Sequence, residues 1–419
     1  MRILKLTPAV EKQLAKRREG QDGDAFAVAS KIVGDVRRRG DAALFQWSKK
    51  LDRVDLAEKG LWVSHEEMAA AKKRVSPDFI GAVKHAAANV RRVSEAQLAR
   101  PWALQVEPGV KLTQLIRPID SIGCYIPGGR FALFSTMIMT VVPAQVAGVR
   151  NIVVVCPAAN DYVIATAAIL GVKHFARIGG AQAVAALAYG TRRVPRVEKI
   201  FGPGNRYVTA AKQIVSSDCA IDLPAGPTEA IVLARSGNPR WIASDLLAQG
   251  EHAPDAGSYL VTPSPRLAEQ VQREVEAQLK LLPASNPAHS SCRRTGAILL
   301  ARTWNDAINF VNRFAPEHLS LPEDSPSPLK RITAAGTIFA GPLAAQPFGD
   351  YASGSNHVLP TGGWARRRGG LSIDDFLKRI SVQTIDRAGY RRLANDVRVL
   401  ARAEGLLAHA NAIEVRRCK

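Results

Sequence analysis

The first hundred residues alternate charged and apolar positions at helical spacing. The pattern is clearest in EKQLAKRREG, AFAVASKIVGDVRRRGDAALFQWSKKL and EEMAAAKKRV. Side chains three or four positions apart share one face of a helix, so this spacing predicts amphipathic helices with one buried side. The N-terminal part of the chain is therefore predicted to be helical.

From Leu115 the pattern changes to short apolar runs that alternate with helical stretches. Such runs are typical of strands buried in a parallel sheet with helices on both faces. One set of predicted strands comprises SIGCYI, NIVVVC, KHFARI and VEKIF, and a second comprises TEAIVLA, GSYLVT, GAILLA and GTIFAG. The tail from Ile373, through DDFLKRISVQ and GYRRLANDVRVLARAEGLLAHANAI, is predicted to be helical again. The predicted fold class is α/β, with two incomplete Rossmann-like parallel-sheet domains and helical N- and C-terminal extensions.

Length and composition are those of a globular protein. A chain of 419 residues, 47% of them hydrophobic, can form two or three domains with a sizeable core. No apolar run reaches the roughly 18 to 20 residues of a membrane span, and the first residues do not resemble a secretory signal. We therefore expect a cytoplasmic protein with no membrane partner. Scattered cysteines without a CxxC pair indicate reduced thiols, at Cys124, Cys156, Cys219, Cys292 and Cys418.

The net charge of +20 suits an anionic ligand such as a dinucleotide, and it raises nucleic acid as a partner. The basic residues are spread over the whole length, however. Their densest clusters, Arg37 to Arg39 and Arg366 to Arg368, are not interleaved with aromatic residues. This pattern favours a solvated basic surface over a nucleic-acid site.

The stretch GDYASGSNHVLPTGG, Gly349 to Gly363, places Asp350 and His357 among glycines. These residues are ordinary in a solvated turn, but glycines also let polar side chains approach a ligand closely. Three further polar stretches carry a histidine and favour the ligand interpretation: AQGEHAPD, FAPEHLSL and LLAHANAI.

Histidine with Asp or Gln is a plausible donor set for zinc. Gln249 and His252 are three positions apart at a probable helix end, so they share one face. Whether Asp350 or His409 joins them does not follow from spacing, and spacing alone leaves a metal unproven. Glu317 and His318 could act as an acid–base pair if a bend turns both into one cleft, although a helix N-cap or a surface pair fits equally well.

Three glycine-rich turns follow predicted strands and open helices: PGGR (127 to 130), GGAQ (179 to 182) and GPGN (202 to 205). Free backbone amides at helix N-termini attract anions, and glycine lets a pyrophosphate come close. None of the three is the GxGxxG fingerprint of a dinucleotide fold. They predict an anionic ligand between strand ends without specifying which one.

The chain resembles the histidinol dehydrogenase family from about Leu115 through His409. The resembling stretches are GCYIPGG, FSTMIMTVVPAQVAGV, GGAQAVAALAYGT, KIFGPGN, IDLPAGPTE, SDLLAQGEHAPD, APEHLSL, GDYASGSNHVLPTGG, DDFLKRISVQ and AEGLLAHANAI. Two departures are Thr228, where the family usually has Ser, and Gly250, where Ala is common.

The resemblance implies an oxidoreductase that uses zinc and NAD to convert L-histidinol through L-histidinal to L-histidine, the last step of histidine biosynthesis. It implies the acid–base residues Glu317 and His318, and a zinc ion in each subunit held by Gln249, His252, Asp350 and His409. The implied substrate contacts are Thr228, Gln249, His252, His318, Asp350, His357, Glu404 and His409. The implied NAD contacts are Tyr125, Gln182 and Asn205. The family's homodimers share active sites, so Glu404 and His409 are expected to act on the partner subunit.

We predict an N-terminal helical extension over residues 1–20 and a substrate and zinc domain over 21–122 and 228–370. An NAD-binding domain is predicted over 123–227, and a C-terminal helical segment that reaches into the partner over 371–419. Three alternatives stay open. A paralogue could oxidise another small polar alcohol, such as a sulfonated diol, with the same zinc site and base. The chain could instead bind nucleic acid with a structural metal, or be a zinc hydrolase that uses Glu317 to activate water.

Overall fold

The computed structural model describes residues 1–18, 23–128, 133–223, 226–324 and 328–416. Cys418 and the last two residues of the PGGR turn lie outside these ranges. Across the described ranges, no helix combines the length and the apolar character needed to cross a bilayer.

Fourteen strands form three sheets within the described ranges. In chain order they are β1 (Arg2–Lys5), β2 (Trp102–Glu107), β3 (Val110–Pro118), β4 (Ser121–Tyr125), β5 (Asn151–Val155), β6 (His174–Ala176), β7 (Lys199–Phe201), β8 (Ala220–Ile221), β9 (Glu229–Leu233), β10 (Gly257–Thr262), β11 (Ala297–Leu300), β12 (His318–Leu321), β13 (Thr337–Ala340) and β14 (Leu377–Ile385).

Helices connect and cover these strands. They are α1 (Pro8–Arg18), α2 (Gly23–Arg39), α3 (Asp41–Trp47), α4 (Leu56–Lys59), α5 (His65–Arg74), α6 (Pro77–Gln97), α7 (Phe134–Ala147), α8 (Asp161–Leu170), α9 (Gly180–Tyr189), α10 (Arg206–Val215), α11 (Pro239–Gly250), α12 (Pro265–Leu279), α13 (Ala288–Arg294), α14 (Trp304–Phe314), α15 (Gln346–Tyr351), α16 (Arg387–Ala403) and α17 (Leu407–Glu414). A π-helical turn over Ser48–Asp52 continues α3, and 3-10 turns lie at Leu329–Arg331, Trp364–Arg366 and Ile373–Phe376.

Two of the sheets are parallel, as the apolar runs predicted. A six-stranded sheet has the order β1-β11-β10-β9-β12-β13, and a five-stranded sheet has the order β6-β5-β4-β7-β8. All the strand pairs in both sheets are parallel. Every residue of β9 and β10 is buried, because helices cover both faces of the sheet. The predicted α/β class is confirmed.

A third, antiparallel sheet of order β14-β3-β2 corrects the prediction of helix through DDFLKRISVQ. Leu377 pairs with Pro118 and Ile385 with Val110, in register along the whole of β14. β14 has the sequence LKRISVQTI, whose β-branched residues favour an extended chain. The helical prediction was wrong because charged and apolar residues mix at a spacing that suits either structure.

The N-terminal extension, predicted as helical over residues 1–20, begins instead with the strand β1, which pairs with β11 at the edge of the six-stranded sheet and precedes α1. The helices between residues 23 and 97 bury apolar side chains in the two cores around the five-stranded sheet. Ile32 and Val90, for example, are nearly inaccessible in these cores. This packing differs from the predicted grouping of residues 21–122 with 228–370.

Candidate active site

A cavity of about 1040 Å³ lies where the two parallel sheets meet. Thr228 and His318, at the amino ends of β9 and β12, line one side of it. Gly202 to Asn205, after the carboxyl end of β7, line another side. Helix α1 adds Gln13, Lys16 and Arg17. The cavity therefore brings the predicted acid–base pair and one predicted phosphate-binding turn together.

Glu317 is held by two donors at the start of β12. Its Oε2 accepts a hydrogen bond from Thr228 Oγ1 at 2.6 Å and another from the backbone N–H of Glu229 at 3.0 Å. The residue is 7% exposed. Two hydrogen bonds to one carboxyl oxygen fix the orientation of the group. Glu317 is thus held in one orientation at the cavity wall.

His318 is buried beside Glu317, and neither of its ring nitrogens has a hydrogen-bond partner among the described residues. Nδ1 lies 3.7 Å from Glu317 Oε2, and Nε2 lies 3.7 Å from Asp350 Oδ1. Burial lowers the pKa of His318, but the negative charges of Glu317 and Asp350 raise it, and the net direction is upward. A buried polar atom without a partner costs free energy, so this imidazole is an available proton acceptor for a ligand in the cavity.

Gln249 is the next member of the hydrogen-bond chain that starts at Glu317 and passes through Thr228. Its Nε2 donates to Thr228 Oγ1 at 2.9 Å, and its Oε1 accepts from Gln346 Nε2 at 2.8 Å. Gln249 and Gln346 are both buried. The amide of Gln249 is therefore oriented from both ends, and Thr228 joins it to Glu317.

His252 and Asp350 meet at the cavity wall, with His252 Nε2 at 3.9 Å from Asp350 Oδ2. Two ligands of a tetrahedral zinc ion stand roughly 3.4 Å apart, so a small rotation would let both bind one ion. Burial raises the pKa of Asp350, but His318 and His252 lower it, and the net direction is downward.

The donors present fit a zinc ion that takes a further ligand from elsewhere. Within the described ranges, no group of three or more His, Cys, Asp or Glu side chains is placed to hold a metal. Gln249 would complete His252 and Asp350 as a third ligand, because its amide oxygen has two lone pairs and Gln346 uses one. An amide oxygen, an imidazole and a carboxylate are all ligands that zinc accepts.

His357 lies in the same lining and is held by two contacts. Its Nδ1 donates to the backbone carbonyl of Asp350 at 2.8 Å, and its Nε2 is 3.0 Å from Thr136 Oγ1. Burial lowers the pKa of His357. The neutral ring then carries its proton on Nδ1 and accepts from the threonine hydroxyl through Nε2.

The residues expected to contact NAD are divided. Asn205 lines the cavity and caps α10, because its side chain accepts from the backbone N–H groups of Tyr207 and Val208. Tyr125 and Gln182 are buried, and neither is among the described residues of the lining. Tyr125 accepts from the Gly180 amide at 3.0 Å, which joins it to the glycine-rich turn that opens α9.

A buried ion pair supports the GPGN turn and was not singled out from the sequence. Lys212 and Asp222 form a short salt bridge, with side chains 3% and 1% exposed. Lys212 Nζ donates to the Gly202 carbonyl at 2.9 Å, and the Gly202 amide donates to Asp222 at 2.7 Å. Gly202 has φ 109°, which side chains rarely adopt. The sequence carries no signal for the pair, because Lys212 lies on α10 and Asp222 follows β8, and the two meet only in the fold.

Glu404 and His409 lie away from the cavity. Both are exposed on the C-terminal helices, and neither belongs to the described lining of their own chain. Large apolar side chains around them are also exposed, including Leu400 at 65% and Leu407 at 70%.

The fold is that of an α/β protein, and its two parallel sheets enclose a cavity lined by an imidazole, an oriented carboxyl group and a glycine-rich turn. The sequence matches the histidinol dehydrogenase family over residues 15–417. The chain belongs to the histidinol dehydrogenase family, and the resemblance found in its motifs is confirmed.

Individual relatives agree with this assignment. The chain is 46% identical to a histidinol dehydrogenase of Halalkalibacterium halodurans over 404 residues, which cover 95% of each chain. It is 43% identical to one of Methanosarcina barkeri, over 99% of this chain and 98% of the relative. The crystal structure of histidinol dehydrogenase from Elizabethkingia anophelis superposes with a TM-score of 0.93 at 37% identity, covering 99% of this chain and 98% of the other.

Proposed function

We propose that this protein oxidises L-histidinol through L-histidinal to L-histidine, the final step of histidine biosynthesis, with NAD as the hydride acceptor in both oxidations. The observation that carries the proposal is the buried His318 imidazole. Neither of its nitrogens has a hydrogen-bond partner among the described residues, and its Nδ1 lies 3.7 Å from a Glu317 carboxylate held by two donors. A dehydrogenase needs such a base for the alcohol proton.

In the first oxidation, His318 takes the hydroxyl proton while the hydride leaves the alcohol carbon for NAD. In the second, Glu317 takes a proton from water as the water oxygen attacks the aldehyde carbon, and the carbonyl oxygen takes up the proton that His318 holds, which gives the hydrate. His318 then removes a hydroxyl proton of the hydrate while the second hydride leaves for NAD, and the acid that forms ionises. One histidinol and one water thus give the carboxylate, two hydrides and three protons. The Thr228 and Glu229 donors hold the Glu317 carboxyl in a fixed orientation towards the cavity for this reaction.

Zinc would be held by Gln249, His252, Asp350 and the partner's counterpart of His409, and it would bind and orient the substrate's nitrogen atoms. Thr228 and His357 would line the substrate pocket. Asn205 would contact NAD at the cavity. Tyr125 and Gln182 would contact it on the α9 side.

We propose that the active protein is a homodimer with shared sites. Glu404 and His409 are exposed on their own chain, amid apolar side chains that a second copy could cover. We propose that residues 123–227 bind NAD, that residues 228–370 bind the substrate and that a C-terminal segment from 371 reaches the partner. The helices over 23–97, which pack around the five-stranded sheet, are left out of the substrate domain. We also propose that the enzyme works in the cytoplasm.

The shared site has its own test. His409→Ala and Glu317→Gln, each inactive alone, should regain activity in mixed dimers, because one of the two sites then draws its intact residues from both chains. Verified heterodimers that show no recovery would contradict the shared site.

The function is tested by assaying purified protein with L-histidinol and NAD before chelation, after chelation and after zinc is restored. Activity lost on chelation and restored by zinc is expected. Turnover of a sulfonated diol with none of histidinol would instead establish the paralogue, for which Thr228 is the relevant departure from the family's usual Ser.

A further inference from the structure

Arg18, the last residue of α1, reaches into the floor of the site from the N-terminal helix. Its guanidinium donates to the Phe314 carbonyl at 2.6 Å and to the Ala315 carbonyl at 3.3 Å. It also forms a short salt bridge with Glu229 and stacks over the Phe314 ring at 3.8 Å. Only 11% of the side chain is exposed.

The two segments that Arg18 joins are those that carry the acid–base residues. Ala315 ends α14 with φ 53°, a left-handed conformation that is uncommon outside glycine. Glu317 follows two residues later. Glu229 opens β9, and its backbone N–H donates to Glu317 Oε2 at 3.0 Å. One guanidinium therefore holds both the turn that precedes Glu317 and the strand that orients it.

The charge of Arg18 matters as much as its hydrogen bonds. The Glu229 side chain is 3% exposed. Burial raises the pKa of Glu229, Arg18 lowers it and the Glu317 charge raises it, and the net value with Arg18 in place is about 7. Tyr259 also faces this carboxyl, and Arg17 is the other nearby cation on α1. Without Arg18, Glu229 would be a buried carboxyl beside a second carboxylate, with no ion-pair partner in the described part of the chain.

We propose that Arg18 is a positioning residue for the acid–base pair, acting through Glu229 and the Phe314–Ala315 turn. The proposal rests on the function proposed above. Arg18 is not among the described residues that line the cavity, and it acts by fixing the positions of Glu317 and His318. A displacement of about 1 Å in such groups can cost on the order of a hundredfold in rate.

The test compares Arg18→Met, Arg18→Lys and the double variant Arg18→Met/Glu229→Gln with wild type. Lys12→Met, on an exposed position of the same helix, is the matched control. For each protein we would measure kcat and both KM values from pH 6 to 9, together with hydrogen–deuterium exchange of the peptide that spans residues 314–321.

Arg18→Met should lower kcat by about tenfold or more while KM for NAD stays within about twofold, and exchange of the 314–321 peptide should rise. Arg18→Lys should retain more activity than Arg18→Met, because lysine keeps the positive charge although it lacks the planar guanidinium that donates to several acceptors at once. The kcat of the double variant should exceed that of Arg18→Met most clearly at the alkaline end of the range, because loss of Arg18 raises the pKa of Glu229 further and the unpaired carboxyl ionises only there. Lys12→Met should match wild type.

The proposal is overturned if Arg18→Met keeps wild-type kcat and wild-type exchange. It is also overturned if the three Arg18 variants lose activity in proportion to their loss of stability, with no change in the pH profile of kcat. Should Arg18→Met fail to fold, Arg18→Lys and the double variant give the same comparison. If wild type does not oxidise histidinol, the proposed function fails, and the exchange data still decide whether Arg18 holds the turn.

Discussion

Replacing Thr228 with valine should break the hydrogen-bond chain at its centre. Valine keeps the shape of threonine but has no hydroxyl, so Gln249 Nε2 loses its acceptor at 2.9 Å and Glu317 loses its donor at 2.6 Å. Gln249 is fully buried, and leaving its donor unsatisfied costs about 1–3 kcal/mol. A lost hydrogen bond to a charged group costs about 1.5–3 kcal/mol.

Thr228 itself is partly exposed, so water can replace part of the hydrogen bonding that Gln249 and Glu317 lose. We therefore expect Thr228→Val to lower the free energy of unfolding by about 2–4 kcal/mol. Urea unfolding measures this, and kcat measured in parallel should fall because Glu317 keeps only the Glu229 donor. Thr228→Ser is the control, since it retains the hydroxyl and should lie within about 1 kcal/mol of wild type. Equal stability and equal kcat in the valine and serine variants would refute this reasoning.

Asn205→Ala should cost about 1 kcal/mol of stability, because it removes the N-cap of α10, and should raise KM for NAD but not for histidinol; an unchanged KM for NAD would contradict the assigned contact. Lys212→Met should destabilise by about 3–5 kcal/mol, because it leaves Asp222 buried and unpaired, and urea unfolding should show partial recovery in Lys212→Met/Asp222→Asn. Burial raises the pKa of Asp52 from 3.8 to about 6, so folding favours its protonated form. Protonated Asp52 therefore contributes its full share of the folding free energy at low pH, and this share is lost as pH rises from 3.8 to about 6. Thermal melts should show wild type losing stability relative to Asp52→Asn across that pH range. A constant difference between the two proteins would contradict this prediction.

The strands that the sequence predicts well are those with a continuous apolar run. GSYLVT was predicted as a strand and forms β10 with the same bounds, and SIGCYI and TEAIVLA differ from β4 and β9 by one or two residues. A strand that is buried on both faces is apolar at nearly every position, so its sequence is easy to recognise.

Edge and exposed strands were missed for the opposite reason. β14 is exposed along most of its length, so its sequence carries no strong apolar period and its strand state depends on pairing with β3. Similarly, β1 is four residues long and is extended because β11 lies beside it. Pairing with a neighbouring strand, which the local sequence does not show, decides the structure in both cases.

The residues of the site also differ in how clearly the sequence marks them. Glu317, His318 and Asp350 stand in polar motifs between apolar runs, which is a signal that sequence alone can show. The partners that orient the site, such as Arg18 and Gln346, are distant in sequence and lie in ordinary surroundings. Arg18 is 211 positions from Glu229, and only the fold brings the two together.

The most direct test of the central claim is the stoichiometry of NADH produced per L-histidinol consumed, with the end product identified. Purified wild-type protein with zinc restored and NAD in excess would be taken to completion with limiting histidinol. The account predicts two NADH for each histidinol and L-histidine as the product, because His318 and Glu317 serve successive oxidations in one site. One NADH per histidinol with free histidinal, or no turnover at all, would contradict it.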